Sequence, residues 1–109
     1  MRIAIVATGD ELLTGELVDT NSAWLSEQLF RSGVVPAFHR TIGDDLDAIR
    51  GAIREIAAVC DAAVFSGGLG PTDDDLTVEA VAGVLGVEVV THEESLARAR
   101  HLLEKHGIA

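Results

Sequence analysis

Residues 61–77 read Asp61-Ala62-Ala63-Val64-Phe65-Ser66-Gly67-Gly68-Leu69-Gly70-Pro71-Thr72-Asp73-Asp74-Asp75-Leu76-Thr77. The run Asp61 to Ser66, centred on Ala62 to Phe65, reads as a strand. It passes directly into a glycine-rich loop. Val78, Val81, Ala82 and Leu85 then recur at helical spacing until Gly86 stops them. Strand, glycine loop and helix in this order form one βα unit, the building block of a parallel sheet.

The same order recurs on either side. Arg2 to Thr8 is a short apolar run closed by Gly9 and reads as a buried strand. Asp10 to Asp19 reads as a loop, and Asn21 to Ser32 as a helix with Leu25 and Leu29 on one face and Gly33 as its stop. Val34 to Ile42 is β-compatible, with Pro36 marking a strand start or an edge. Gly43-Asp44-Asp45 breaks it. Leu46, Ile49, Ile53 and Ile56 follow as the clearest amphipathic helix in the chain, with Asp44 or Asp45 as its N-cap. Val87, Val89 and Val90 predict a short fourth strand. Thr91 and Glu94 have the spacing of a capping box, opening a last helix with Leu96, Ala99 and Leu103 inward and Gly107 at its end. The expectation is an α/β fold in three layers, α/β/α, around a mainly parallel sheet.

The chain has 109 residues, enough for one domain, and 48% of them are apolar, which argues against disorder. Its formal charge of −10 disfavours nucleic acid and anionic membrane surfaces as partners. Cys60 is the single cysteine and cannot form an internal disulfide. No run has the length of a membrane span or the pattern of a signal peptide. A soluble cytoplasmic protein is expected. The chain stops at Ile108-Ala109, just past a helix and without the further strand such sheets often carry, so truncation at the C-terminus is expected as well.

In a parallel sheet every loop leaving the C-terminal end of a strand lies on one edge, where ligands bind. Three such loops stand out: Gly9 to Gly15 continuing to Asp19-Thr20-Asn21, Gly43-Asp44-Asp45, and Gly67 to Thr77. Three glycines in four residues at Gly67, Gly68 and Gly70 allow close backbone approach to a phosphate or a pterin ring. The plainer reading is a tight turn whose aspartates favour the helix start. Three consecutive aspartates, Asp73 to Asp75, exceed what capping requires. Ten of the eighteen acidic residues fall in or beside these loops, with Arg40 the one basic residue near them. Such crowding suits a hard divalent cation, Mg²⁺ or similar, bridging to phosphate oxygens; a solvated acidic rim is the alternative.

Other motifs fail. Asp73 stands where a dinucleotide fingerprint needs its last glycine, and Gly9 to Gly15 lacks the P-loop spacing and lysine. His101 and His106 are five apart and do not share a helix face; they, His39 and His92 read as surface residues. Ser66 has no nucleophile-elbow context. Trp24 reads as core or interface packing.

Gly9-Asp10-Glu11-Leu12-Leu13-x-Gly15 followed by Asp19-Thr20-Asn21-Ser22, with Gly67-Gly68-Leu69-Gly70-Pro71-Thr72-x-Asp74-Asp75-x-Thr77, resembles the paired signature of the competence/damage-inducible CinA family. The resemblance covers essentially the whole chain, in the family's N-terminal, molybdopterin-binding-like domain, which normally continues beyond this length. It implies a fold shared with proteins that bind or adenylate molybdopterin, in which aspartates at the places of Asp44 and Asp75 act on metal and phosphate. It also implies metal-dependent hydrolysis of ADP-ribose to AMP and ribose 5-phosphate. On this basis Asp44 and Asp75 are the expected catalytic residues. Gly9, Asp10, Glu11, Asn21, Gly67, Gly68, Gly70, Thr72 and Thr77 are the expected ligand contacts, and Asp45, Asp74 and Asp75 the expected metal ligands. Asp45, Asp74 or Glu11 would orient the attacking water. The expected partner is a phosphorylated small molecule, with self-association into a homo-oligomer. Two other functions share the fold: a non-catalytic module that holds a pterin or nucleotide in the same loops, and a structural domain that self-associates through its sheet edge or an exposed helix.

Overall fold

The computed structural model describes residues 1–69, 75–86, 89 and 93–105. Three strands, β1 (Ile3–Thr8), β2 (Phe38–Ile42) and β3 (Ala62–Ser66), form a sheet in the order β2-β1-β3. Both pairings are parallel; Thr8 stands opposite Ile42, and Ala7 opposite Ser66. All six residues of β1 are buried, as a central strand covered on both faces requires.

Helices cover the two faces. Ala4 and Val6 of β1 and Ile42 of β2 pack with Ile49, Ala52 and Ile56 of α3 (Leu46–Val59) and with Ala80 of α4 (Thr77–Leu85). Side chains alternate along a strand, so Ile3, Ile5 and Ala7 face the opposite side. The helix α2 (Thr20–Arg31) packs on β1. The expected three-layer α/β/α arrangement with a parallel sheet is therefore observed. A last helix, α5 (Glu93–Lys105), lies where the periodicity placed one. Of the expected fourth strand, Val89 is exposed and lies outside any strand, whereas Val87 and Val90, the cap at Thr91 and the stop at Gly107 lie outside the described residues, as do the side chains of Leu96, Ala99 and Leu103.

The helix signals correspond to specific hydrogen bonds. Asp19 caps α2 by accepting from the Ser22 amide at 3.0 Å, and Gly33, with φ 86°, follows its last turn. Of the two candidates for the α3 cap, Asp45 performs it, its Oδ1 accepting from the Ala48 amide at 3.1 Å. Asp45→Ala is expected to cost about 1 kcal/mol of stability, and Asp45→Asn only a few tenths, since asparagine caps equally well. Urea unfolding of the two variants measures the difference.

Three readings are corrected. The segment after Gly9 is not wholly a loop. One helical turn, α1 (Asp10–Leu13), opens it, with Asp10 and Glu11 favourably placed at its amino end. A single turn is too short to leave a periodic signal. The second strand begins at Phe38 rather than Val34. The Val34 amide bonds back to Leu29 O at the end of α2, Pro36 has no amide to give, and the Ala37 amide makes the first link to β1, at Ile3 O. Trp24 is 59% exposed, so of its two readings, core and interface packing, the core one is excluded.

Candidate functional site

Because the three strands run parallel, the chain leaves each at the same edge. Gly9 follows Thr8, Gly43 follows Ile42, and Gly67 follows Ser66. The Gly9 amide donates to Ile42 O at 2.9 Å, which joins the first two turns. Asp10 and Asp44 complete the junction reciprocally. The Asp44 amide donates to Asp10 Oδ1 at 2.9 Å, and the Asp10 amide donates to Asp44 Oδ2 at 3.3 Å. Each carboxylate thus rests on the other residue's main chain and keeps one oxygen outside that clasp. Leu13 and the Asp10 carboxylate lie so close to Gly43 that a Cβ there would be 3.0 Å and 2.7 Å from them.

The third turn is joined to the first from beneath. The Thr77 hydroxyl, at the start of α4, donates to Gly67 O at 2.9 Å and lies 3.0 Å from the Thr8 hydroxyl at the end of β1. The Thr77 amide donates to Gly68 O at 3.1 Å. Gly67 and Gly68 take φ of 87° and 64°. A Cβ at Gly67 would run into the Thr8 carbonyl oxygen, and one at Gly68 into the Thr77 hydroxyl. Both glycines are therefore required twice, for the left-handed backbone and for the close approach.

A cleft of about 320 Å³ opens at this edge. Thr8, Ser66 and Gly67 lie on one side, Glu11 on another, and the start of α2, Asp19 to Asn21, on a third; Leu12, Leu17 and Val18 supply an apolar wall. The volume is at the lower end of small-molecule sites. The amino end of α2 contributes a positive dipole end, and Glu11 and Asp19 contribute carboxylates.

Of the expected ligand contacts, Glu11, Asn21 and Gly67 line this cleft. Gly9 is buried beside it, and Asp10 joins Asp44 in the clasp. Thr77 is 2% exposed and is not among the cleft residues; its hydroxyl donates to Gly67 O and lies beside the Thr8 hydroxyl. Asp75 is half-buried just before α4. Gly70, Thr72 and Asp74 lie outside the described residues. Asp45, expected as a metal ligand, has its carboxylate on the α3 cap. Among the described residues no three His, Cys, Asp or Glu side chains are grouped to hold a metal ion. Arg40 does not serve the acidic edge: it pairs with Glu55 at 2.8 Å and stacks 5.4 Å over Phe38.

Spacing had not singled out Thr8, Ser66, Leu17 or Val18 as cleft residues. The available signal was a polar residue closing an apolar strand, Thr8 on the buried β1 and Ser66 on the half-buried β3. His39 and His101 are exposed, as expected of surface residues, and His39 shares a hydrogen bond with Ser26. Cys60 is a partly buried free thiol. Among the described residues no helix is long and apolar enough to cross a membrane.

Comparison with known proteins gives a consistent result. The model of a probable molybdopterin binding domain matches residues 4–109. A CinA-like protein of Anaeromyxobacter dehalogenans is 50% identical over 109 residues, the whole of this chain but 27% of that protein. The chain thus spans about a quarter of the length of such relatives. Among solved structures, the protein CinA from Thermoplasma acidophilum superposes with a TM-score of 0.83 at 37% identity, covering 99% of this chain and 62% of that one. The molybdopterin biosynthesis enzyme MoaB from Thermus thermophilus gives 0.73 at 28% identity, covering 81% and 57%.

Proposed function

The chain belongs to the family of probable molybdopterin-binding domains, in its CinA-like branch, and on that premise we propose that its cleft binds a phosphorylated nucleotide and hydrolyses ADP-ribose to AMP and ribose 5-phosphate with a divalent cation. The observation that carries the reading is the convergence of three turns on one edge. The Gly67 turn, the amino end of α2 and the carboxylates of Glu11 and Asp19 surround one cleft, with the Asp10–Asp44 clasp on the adjoining turns. The positive dipole end of α2 suits phosphate oxygens, and Leu12, Leu17 and Val18 suit a flat ring.

The carboxylate chemistry fits a hard cation. Asp10 and Asp44 each keep an oxygen outside their clasp, and a magnesium-type ion needs one or two carboxylates beside substrate phosphates. Asp44 and Asp75 are the residues proposed to hold it, and the family resemblance adds Asp74. Such an ion, when bound, neutralises the pyrophosphate and acidifies a bound water. Glu11 is the preferred base among the three considered. It lines the cleft, whereas Asp45 is occupied by its cap. Glu11 would take a proton from the water as its oxygen bonds to phosphorus and the P–O bond of the pyrophosphate bridge breaks. The products are AMP and ribose 5-phosphate.

The test is AMP release from ADP-ribose, with and without divalent cation, beside Asp75→Asn. Cation-dependent release that falls at least tenfold in the variant supports the hydrolase. Saturable binding without release moves the assignment to a non-catalytic pterin or nucleotide module, a reading the apolar wall of the cleft also favours. Self-association belongs to the same proposal, on the observation that Leu17, Trp24, Phe30 and Val35 are large and exposed.

A further inference from the structure

Thr8 and Thr77 are 69 residues apart in sequence, yet their hydroxyls meet at 3.0 Å in the interior, with exposures of 3% and 2%. Each hydroxyl has one proton. The Gly67 carbonyl can only accept, so Thr77 donates to it at 2.9 Å. The Thr77 oxygen is then the acceptor between the two threonines, and Thr8 donates. The protons therefore run in one direction, from Thr8 to Thr77 to Gly67 O. The alternative acceptor for Thr8, Ser66 O, is more distant at 3.4 Å.

This chain of hydrogen bonds joins the central strand, the start of α4 and the turn at the cleft. Thr8, Ser66 and Gly67 line the cleft; Thr77 does not. The turn has little room on this side, since a Cβ at Gly67 would run into the Thr8 carbonyl and one at Gly68 into the Thr77 hydroxyl. Neither threonine is required by its local element. Thr77 is not the N-cap of α4, a position held by Leu76, and Thr8 ends an otherwise apolar strand. Isosteric valine would fill either site in an apolar core. Threonine is needed only if the Gly67 carbonyl must be held.

We propose that Thr8 and Thr77 are positioning residues, a two-hydroxyl relay that holds the Gly67–Gly68 turn in the shape that receives the ligand. The inference rests on the ligand reading of the cleft given above. It assigns Thr77 a role behind the turn and adds Thr8, which lines the cleft but is not among the expected ligand contacts.

The experiment measures ADP-ribose affinity with Mg²⁺ present, as KM where the ligand is hydrolysed and as Kd where it is not, for the chain and for Thr77→Val, Thr77→Ser, Thr8→Val and the double valine variant. Each sample is first shown to unfold cooperatively above the assay temperature. Thr77→Val is expected to bind about tenfold more weakly, the scale of one lost buried hydrogen bond with a carbonyl left unpaired. Thr77→Ser is expected to restore affinity to within about threefold, since it keeps the hydroxyl. Thr8→Val is expected to lose several-fold, and the double variant to be no more than about twofold weaker than Thr77→Val, because the two hydroxyls act in series. Equal binding by the chain and both single valine variants overturns the relay while leaving the cleft assignment standing. Serine as weak as valine, or fully additive losses, also overturns it. No binding by the unaltered chain overturns the cleft reading and the relay with it. Should Thr77→Val fail to fold, Thr8→Val alone carries the decision on the same criterion.

Discussion

Gly67→Ala is expected to lower the free energy of unfolding by about 3 kcal/mol, with Gly33→Ala as its control near 1 kcal/mol. Both glycines have positive φ, 87° and 86°, so both substitutions incur the left-handed penalty of about 1–2 kcal/mol for a residue with a Cβ. They differ in their surroundings. A Cβ at Gly33 meets no atom within 4 Å, whereas one at Gly67 runs into the Thr8 main-chain oxygen and comes within 3.0 Å of the Thr8 hydroxyl. The Thr8 carbonyl belongs to the central strand and cannot rotate away as a side chain would. Relief requires displacing the turn, which also strains the Thr77 hydrogen bond to Gly67 O. Urea unfolding with unchanged slope measures both values. Equal costs at the two positions would show that the turn does not pack against β1 as described. If the larger loss is found, ADP-ribose affinity should fall in the same variant, since the cleft wall moves with the turn.

Ile49→Ala is expected to cost about 3–4 kcal/mol, the usual range for emptying a fully buried branched site. Ile49 is 1% exposed and packs in the cluster that contains Ala4, Val6, Ile42 and Ile56. Several of its neighbours are alanines or strand residues with little freedom to move into the space, so the cavity term persists. Val59→Ala, on the same helix but 54% exposed, is expected to change stability by less than about 0.5 kcal/mol. The pair is diagnostic because helix propensity alone would favour alanine at both positions. Comparable losses in the two variants would mean that α3 presents a different face to the sheet.

The candidate site was legible to different depths. Glycine at positions 67 and 68, and carboxylates at 10, 11 and 44, stood out because a strand end followed by glycine and acid is locally unusual. Their division of labour was not legible. Asp44 and Asp45 are adjacent in the chain, yet one joins Asp10 across 34 residues and the other caps its own helix. Thr77 belongs to the same local signature as the glycines, but its partner is Thr8 at the far end of the sequence distance. Arg40 is close to the acidic turns in sequence, but the strand carries its guanidinium to Glu55 on α3.

The sequence by itself determined the alternation of apolar runs and amphipathic helices, the stops at Gly33 and Gly86, and the family, because these are carried by residues a few positions apart. Tertiary structure alone decided the order β2-β1-β3, the start of the second strand at Phe38, the clasp between Asp10 and Asp44 and the threonine relay under Gly67. The physical reason is the range of the forces concerned. Helical periodicity and capping act within a turn or two. Strand pairing and buried polar contacts depend on which distant groups desolvation forces to satisfy one another, and that is set only when the sheet and its helices close.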